Sequence, residues 1–175
     1  MRVFTKLPLL LLPALVIAFG HGATAKTDQT VRAFSVWQTS GQVPPTAGSG
    51  VFEDTISGLF YIDTEKGPVA AGNLNCKARL EVKADKTQTG SADCTITAKD
   101  GAQVFGKLQC SGVFMVGCSG DLTFTGGSGR FQGVSGGGKA VVRSEFADLP
   151  QQADAEPMAV KSGIIYFAKL RYQLP

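Results

Sequence analysis

The stretch LNCKARLEVK, residues 74–83, decides the fold of this chain. Apolar and polar residues alternate through it without a break, which is typical of a strand with one buried face and one face in water. The apolar positions are Leu74, Cys76, Ala78, Leu80 and Val82. The same alternation returns at residues 92–98 after a polar turn. These two segments therefore predict strands of an antiparallel sheet.

Short runs rich in Val, Ile, Phe and Thr, separated by Gly, Asp, Asn and Pro, extend this pattern along the chain. The predicted strands are 31–39, 51–62, 74–83, 92–98, 103–110, 118–125, 139–147 and 158–173. Asp100-Gly101 predicts a hairpin turn, and residues 148–157 predict a polar loop. Gly58 inside the second strand indicates a bulge or close packing.

Nothing in the chain predicts a long helix. A meander of about eight strands must protect its edges, and closure into a barrel does so most completely. We therefore predict an all-β fold, an antiparallel closed β-barrel, with a two-sheet β-sandwich as the alternative.

The first residues have the layout of a secretory signal peptide. Arg2 and Lys6 precede an apolar run at 7–19, and Ala23-Thr24-Ala25 supplies the small residues of a cleavage site. We expect a signal peptide at 1–25 and a single barrel domain at 26–175, exported to the periplasm or the medium. The apolar run has about 13 residues, too few for a typical membrane span, so we expect no stable membrane insertion. A retained N-terminal anchor is the alternative.

Histidine and charge exclude several classes of function. The only histidine, His21, lies in the predicted signal peptide, so the mature chain would lack Ser-His-Asp catalysis and His-liganded metals. The net charge is +3 and the charges are scattered. Without a sustained basic patch we expect no nucleic-acid partner. We also expect no metal and no cofactor.

The four cysteines, Cys76, Cys94, Cys110 and Cys118, all fall on the apolar parity of their strands. An even count in an exported domain favours disulfides. We prefer Cys76–Cys94 and Cys110–Cys118, because each pair joins neighbours along the chain, while the other connectivities stay open. No CxxC spacing supports a zinc site or a redox pair.

A glycine-rich segment, LTFTGGSGRFQGVSGGGKA, covers residues 122–140. Its glycines permit a tight corner between two strands, with Phe131 and Val134 filling the end of the core. From Phe124 to Gly136 it resembles the strand–corner–strand signature of small β-barrels of the allene oxide cyclase-like and dirigent-like kind. The resemblance implies a barrel cavity for a hydrophobic molecule and an association into homo-oligomers. None of the catalytic residues of those families has a match here.

Asp54 and Tyr61 are the candidate catalytic residues. Asp54 shares the parity of Phe52, Ile56 and Phe60, and a carboxylate on an apolar face can serve as a general acid or base. The alternative is a strand that changes face near a bulge and leaves Asp54 in water. Tyr61 is a candidate hydrogen-bond donor inside a cavity.

Trp37, Phe60 and Tyr166 are the candidate ligand-binding residues, because aromatic side chains commonly line apolar cavities. The alternative for Trp37 is ordinary core packing. The alternative for the tyrosines is packing with the hydroxyl at the barrel rim.

These observations favour binding over catalysis. Barrels of about eight strands can hold one small ligand, so we expect a small apolar ligand in the barrel or a partner protein at its rim. One alternative is a cofactor-free isomerase or cyclase of the allene oxide cyclase-like type that uses Asp54 or a tyrosine. Another is a purely structural envelope protein, which would have a filled barrel.

Overall fold

The computed structural model describes residues 27–39, 42–43, 49–114, 116–146 and 158–175. The predicted signal peptide and its cleavage site lie outside these residues. The elements in chain order are β1 (Thr27–Gln38), β2 (Gln42–Val43), β3 (Gly50–Thr64), β4 (Gly67–Val82), β5 (Thr87–Ala98), β6 (Gln103–Val113), β7 (Gly117–Gly127), the short 3₁₀-helix η1 (Gly129–Phe131), β8 (Ser135–Phe146) and β9 (Met158–Leu174).

The long strands form a closed antiparallel meander. Strand β1 pairs with β3, each strand from β3 to β9 pairs with the next, and β9 returns to pair with β1. The short β2 adds only two residue pairs to β9. Leaving β2 aside, eight strands close the barrel, which confirms the predicted fold class and excludes the sandwich.

Alternation in the sequence becomes the inner and outer surface of this barrel. On β4, Leu74 and Cys76 are buried, and the neighbouring polar residues Asn75 and Lys77 are exposed. Strand β5 pairs with β4 in a continuous register that places Ala92 opposite Ala78 and Cys94 opposite Cys76. The apolar positions of both strands therefore meet on one wall of the interior.

Both disulfides form between neighbours along the chain. Cys76 is bonded to Cys94, its partner across the β4–β5 ladder, and Cys110 is bonded to Cys118 across the β6–β7 hairpin. This is the pairing that adjacency favoured. Because all four positions have inward parity, both disulfides cross-link the interior wall and not the outer surface.

The first long hairpin, between β3 and β4, was not predicted. The sequence left residues 63–73 unassigned, but β3 continues to Thr64 and β4 begins at Gly67 after a two-residue turn. Gly67 has φ +104°, a backbone conformation that L side chains rarely adopt. Farther along β4, the register shifts opposite Phe60 and Tyr61.

Gly58 marks close packing between strands. It pairs with Trp37 of β1, and a Cβ at this position would collide with the Val36 carbonyl oxygen. Strand β3 continues through Gly58 without a register shift at this residue. The sequence predicted either a bulge or close packing at Gly58, and the structure shows close packing.

Two tight turns follow from short polar sequences. Thr87 donates its hydroxyl and its backbone N–H to Asp85 Oδ1 over 2.6 and 2.9 Å, and these bonds lower the pKa of the Asp85 carboxyl. In the predicted Asp100-Gly101 turn, Gly101 has φ +82° and its N–H bonds to the Ala98 carbonyl over 2.9 Å.

The glycine-rich segment forms the predicted corner between β7 and β8. Gly129 and Gly133 adopt φ of +59° and +76°, and Val134 is buried. Arg130 pairs with Asp100 at 3.1 Å and lies 4.6 Å from the centre of the Phe131 ring. The guanidinium is thus engaged within the chain.

The two ends of the barrel differ in their connections. At one end, here called the corner end, lie η1 and the turns after β3 and β5. At the other, the loop end, β1 and β8 finish and β3 and β9 begin. Residues 44–48 and 147–157, which join strands at the loop end, lie outside the described residues.

Candidate functional site

The interior near the corner end, here called the filled half, is packed solid. Its free space is only about 10 Å³, about the room needed for a single water. The Phe60 and Phe167 rings meet at its centre with 6.3 Å between their centroids. The other large side chains that line this space are Leu74, Ile96, Val104, Leu108, Leu122, Phe124 and Ile165.

The interior near the loop end, here called the open half, holds a cavity of about 150 Å³. Most of its wall is apolar. The apolar lining comprises Trp37, Phe52, Ile56, Ala78, Leu80, Ala92, Leu108, Val142, Ile165 and the Cys110 and Cys118 sulfurs; the polar lining comprises Thr39, Asp54, Arg79, Ser91 and Ser144. An apolar wall with a few polar groups is the usual composition of a small-molecule site.

A larger depression of about 580 Å³ lies outside the barrel, on the outer faces of β4 to β8. Its floor is polar, with Thr89, Ser111 and Ser119 facing the depression, and the Lys139–Asp121 ion pair lies at its edge. It is shallow and has no large apolar side chain in its lining. The interior cavity is therefore the better candidate site.

Asp54 lies in the wall of the cavity. It occupies the inner face of β3 with Phe52 and Ile56 and is half-buried. Thr39 donates its hydroxyl to Asp54 Oδ2, and the Thr55 backbone N–H donates to Oδ1 over 2.6 Å. The expected parity thus holds, and Asp54 is not turned out to solvent beside its neighbour.

The residue next to Asp54 has the opposite orientation. Glu53 is exposed on the outer surface, where it accepts from Arg79 Nη1 at 2.5 Å. None of the ion pairs between described residues includes Asp54. Of the described residues that line the cavity, Asp54 is also the only one with a carboxylate.

Trp37 also lies in the cavity wall, with 4% of its surface exposed. It pairs with Gly58 on one side and with Gly163 on the other. A Cβ at Gly163 would collide with the indole ring, so the glycine makes room for the side chain. Within the described part of the chain, the buried indole Nε1 has no hydrogen-bond partner.

Phe60 does not line this cavity. It is buried in the filled half, where its ring lies beside that of Phe167. The structure thus places Phe60, one of the expected ligand-binding residues, in the core and not among the residues that line the cavity.

Tyr61 and Tyr166 lie on the outer surface. Tyr61 stacks on Phe34 with 5.0 Å between ring centroids, and Phe34 pairs with both tyrosines in the ladders. Tyr166 is 38% exposed, since its neighbours Ile165 and Phe167 both point inward. The interior roles expected for these tyrosines are corrected accordingly.

The sequence missed several residues of the cavity. Thr39 and Ser144 come from the ends of β1 and β8, where no alternation shows which face they take. Ala78 and Ala92 were recognised as inward-facing, and they are paired across β4 and β5. In the filled half the corresponding inward positions carry leucine or isoleucine. The small size of Ala78 and Ala92 was therefore the feature of the sequence that could have predicted a cavity.

The described residues show neither of two other kinds of site. They contain no group of three or more His, Cys, Asp or Glu side chains arranged to hold a metal ion. Among the same residues, no helix has the length and apolar character needed to cross a membrane.

Comparisons with known proteins give one kind of match. No protein-family model matches the chain, and neither does any curated protein sequence. Among solved structures, the chain is similar to a pterocarpan synthase dirigent protein, with 11% sequence identity and a TM-score of 0.47. The match covers 88% of this chain and 94% of that one.

Proposed function

We propose that this protein binds a small apolar ligand in the open half of its barrel, without transforming it. The observation that carries the proposal is the cavity itself, about 150 Å³ with a mostly apolar wall. An apolar cavity of about that volume in another protein holds benzene, whereas drug-sized ligands need about 300 Å³ or more. The ligand, or the part of it that enters the cavity, is therefore about the size of one six-membered ring.

We further propose that binding takes place outside the cytoplasm, in the periplasm or the medium. Support comes from the signal-peptide pattern of residues 1–25 and from the two disulfides, which persist in oxidising compartments. Loss of export and of oxidation in a chain that lacks residues 1–25 would be the expected result in an exporting host.

Trp37 provides a direct assay of binding, because it is the only tryptophan of the chain and it lines the cavity. Titration of the oxidised protein with toluene should change the tryptophan fluorescence saturably. Ala78→Leu places a large side chain in the cavity and should abolish the change. Ala168→Leu, on an exposed position of β9, is the matched control and should leave it intact. Absence of a saturable change in the parent protein, or its survival in Ala78→Leu, would contradict the proposal.

A second candidate function, a cofactor-free isomerase or cyclase, is favoured by one observation, the carboxylate of Asp54 in the cavity wall. In this alternative Asp54 would transfer a proton to or from a bound substrate. Conversion of a fatty allene oxide that is lost in Asp54→Asn, while toluene still binds, would favour this candidate. Conversion by the parent protein no faster than in buffer alone would exclude this candidate, and equal conversion by both proteins would exclude the role of Asp54.

A further inference from the structure

The cavity of the open half has an unusual charge distribution for an apolar site. Among the described residues of its lining, Asp54 is the only carboxylate, and the described ion pairs leave Asp54 out. The one cationic side chain among the described lining residues, Arg79, is held by Glu53 on the outer surface at 2.5 Å. The described part of the lining therefore places one carboxylate without an ion-pair partner on a mostly apolar wall.

The Asp54 carboxylate can accept further hydrogen bonds beyond those that it already accepts. Thr39 donates to Oδ2 and the Thr55 N–H donates to Oδ1, one bond to each oxygen. An ionised carboxylate can accept about four hydrogen bonds in all. The Thr39 bond also fixes the carboxylate against the end of β1, so its remaining lone pairs have a defined position at the cavity wall.

From this we propose that the ligand is a hydrophobic amine, whose protonated nitrogen bonds to Asp54 and whose apolar body fills the cavity. This inference rests on the proposed binding function and names the class of ligand. An ammonium group meets the carboxylate with charge-assisted hydrogen bonds. A neutral alcohol of the same shape gains only ordinary hydrogen bonds, and a carboxylic acid brings a second negative charge beside the first.

Trp37 strengthens the preference for a cation. Its ring lies in the same wall as Asp54, with only 4% of its surface exposed. Cations are attracted to the faces of aromatic rings, and indole is the strongest of these partners. Benzylamine combines a ring that fits the cavity volume with an ammonium group one carbon away, so it is the probe of choice.

The experiment measures dissociation constants for four probes of one shape by NMR titration at neutral pH: benzylamine, benzyl alcohol, toluene and benzoate. For the parent protein we expect benzylamine to bind at least about tenfold more tightly than benzyl alcohol, the ratio that a net charged hydrogen bond provides. Benzoate should bind more weakly than toluene. The chemical-shift changes should lie at Trp37, Ala78 and Ala92.

Asp54→Asn should remove the preference for benzylamine and leave the affinity for toluene within about twofold, which shows that the cavity is intact. The matched control is Asp93→Asn, the same substitution on the exposed outer face of β5, where Asp93 lies 3.9 Å from Lys107. It should retain the full preference, because Asp93 does not line the cavity. Loss of the preference in Asp93→Asn would indicate non-specific attraction of amines to surface carboxylates.

The outcomes separate the two proposals. If toluene and benzyl alcohol bind but benzylamine has no advantage, or if Asp54→Asn keeps the advantage, the amine inference is wrong and the binding function stands. If none of the four probes binds, the proposed function is itself overturned.

Discussion

The filled half and the open half of the barrel are built on the same strands, yet only one of them has space inside. On β4, the inward position near the corner end is Leu74, and the one four residues later is Ala78. On β5, Ile96 and Ala92 show the same change. Both halves share the same barrel backbone, so the size of the inward side chains decides where the interior has room for a ligand.

Polarity follows the same division. The inward face of β3 carries Phe60 in the filled half and Asp54 in the open half. A carboxylate is tolerated there because the cavity and the Thr39 hydroxyl keep it partly solvated and hydrogen-bonded. The filled half stabilises the barrel and the open half provides the site, and this division can be tested by matched substitutions.

The largest contrast is expected for leucine truncation. Leu122 is buried in the filled half, so Leu122→Ala should cost about 3–5 kcal/mol of unfolding free energy, because it leaves a new cavity. Leu80 is half-buried at the existing cavity, so Leu80→Ala should cost only about 1–2 kcal/mol. Urea denaturation of both variants, with disulfides intact, measures the difference. Equal losses would show that the two halves are packed alike.

The disulfides give a second, smaller contrast. Cys76–Cys94 closes a separation of 18 residues and is buried, whereas Cys110–Cys118 closes 8 residues and lines the cavity. Chain entropy alone predicts losses of about 3 and about 2.5 kcal/mol when each pair is replaced by alanine. Burial widens this gap, since the first pair also removes sulfur atoms from packed surroundings. Thermal unfolding of the two double variants tests the order, and a larger loss for Cys110–Cys118 would contradict it.

The division into halves shows which features of the fold could be predicted from the sequence. Alternation in residues 74–83 predicted β4 and its inner face, and the cysteine parity predicted that all four sulfurs point inward. These features depend on a period of two within single strands. The β3–β4 hairpin was missed because a two-residue turn at 65–66 carries little signal beyond one glycine, Gly67.

Only part of the candidate site could be predicted from the sequence. Parity placed Asp54 inward. The same parity, applied to Tyr61, would have placed it outward, since Tyr61 directly follows Phe60. Tyr166 lies in an uninterrupted apolar run, Ile164 to Phe167, so no alternation marks its face. The volume of the cavity depends on the register that sets Ala78 opposite Ala92 across two strands, and a single sequence does not contain that register.

The smallest contrast comes from two glycines that point inward, one in each half. A Cβ at Gly106 would lie 3.0 Å from Leu122 Cδ1 and 3.2 Å from the Thr123 carbonyl oxygen; one at Gly90 would lie 3.0 Å from Cys110 Sγ. In the filled half the Thr123 oxygen belongs to the backbone and Leu122 is closely packed, so Gly106→Ala should cost about 1 kcal/mol or more by overpacking. In the open half the sulfur can shift toward the cavity. Gly90→Ala should therefore be neutral or stabilising by up to about 1 kcal/mol, because alanine reduces the entropy of the unfolded chain. Urea denaturation decides the sign for each variant. A stabilising Gly106→Ala would mean that the filled half still has room, and the distinction between the halves would then rest on polarity alone.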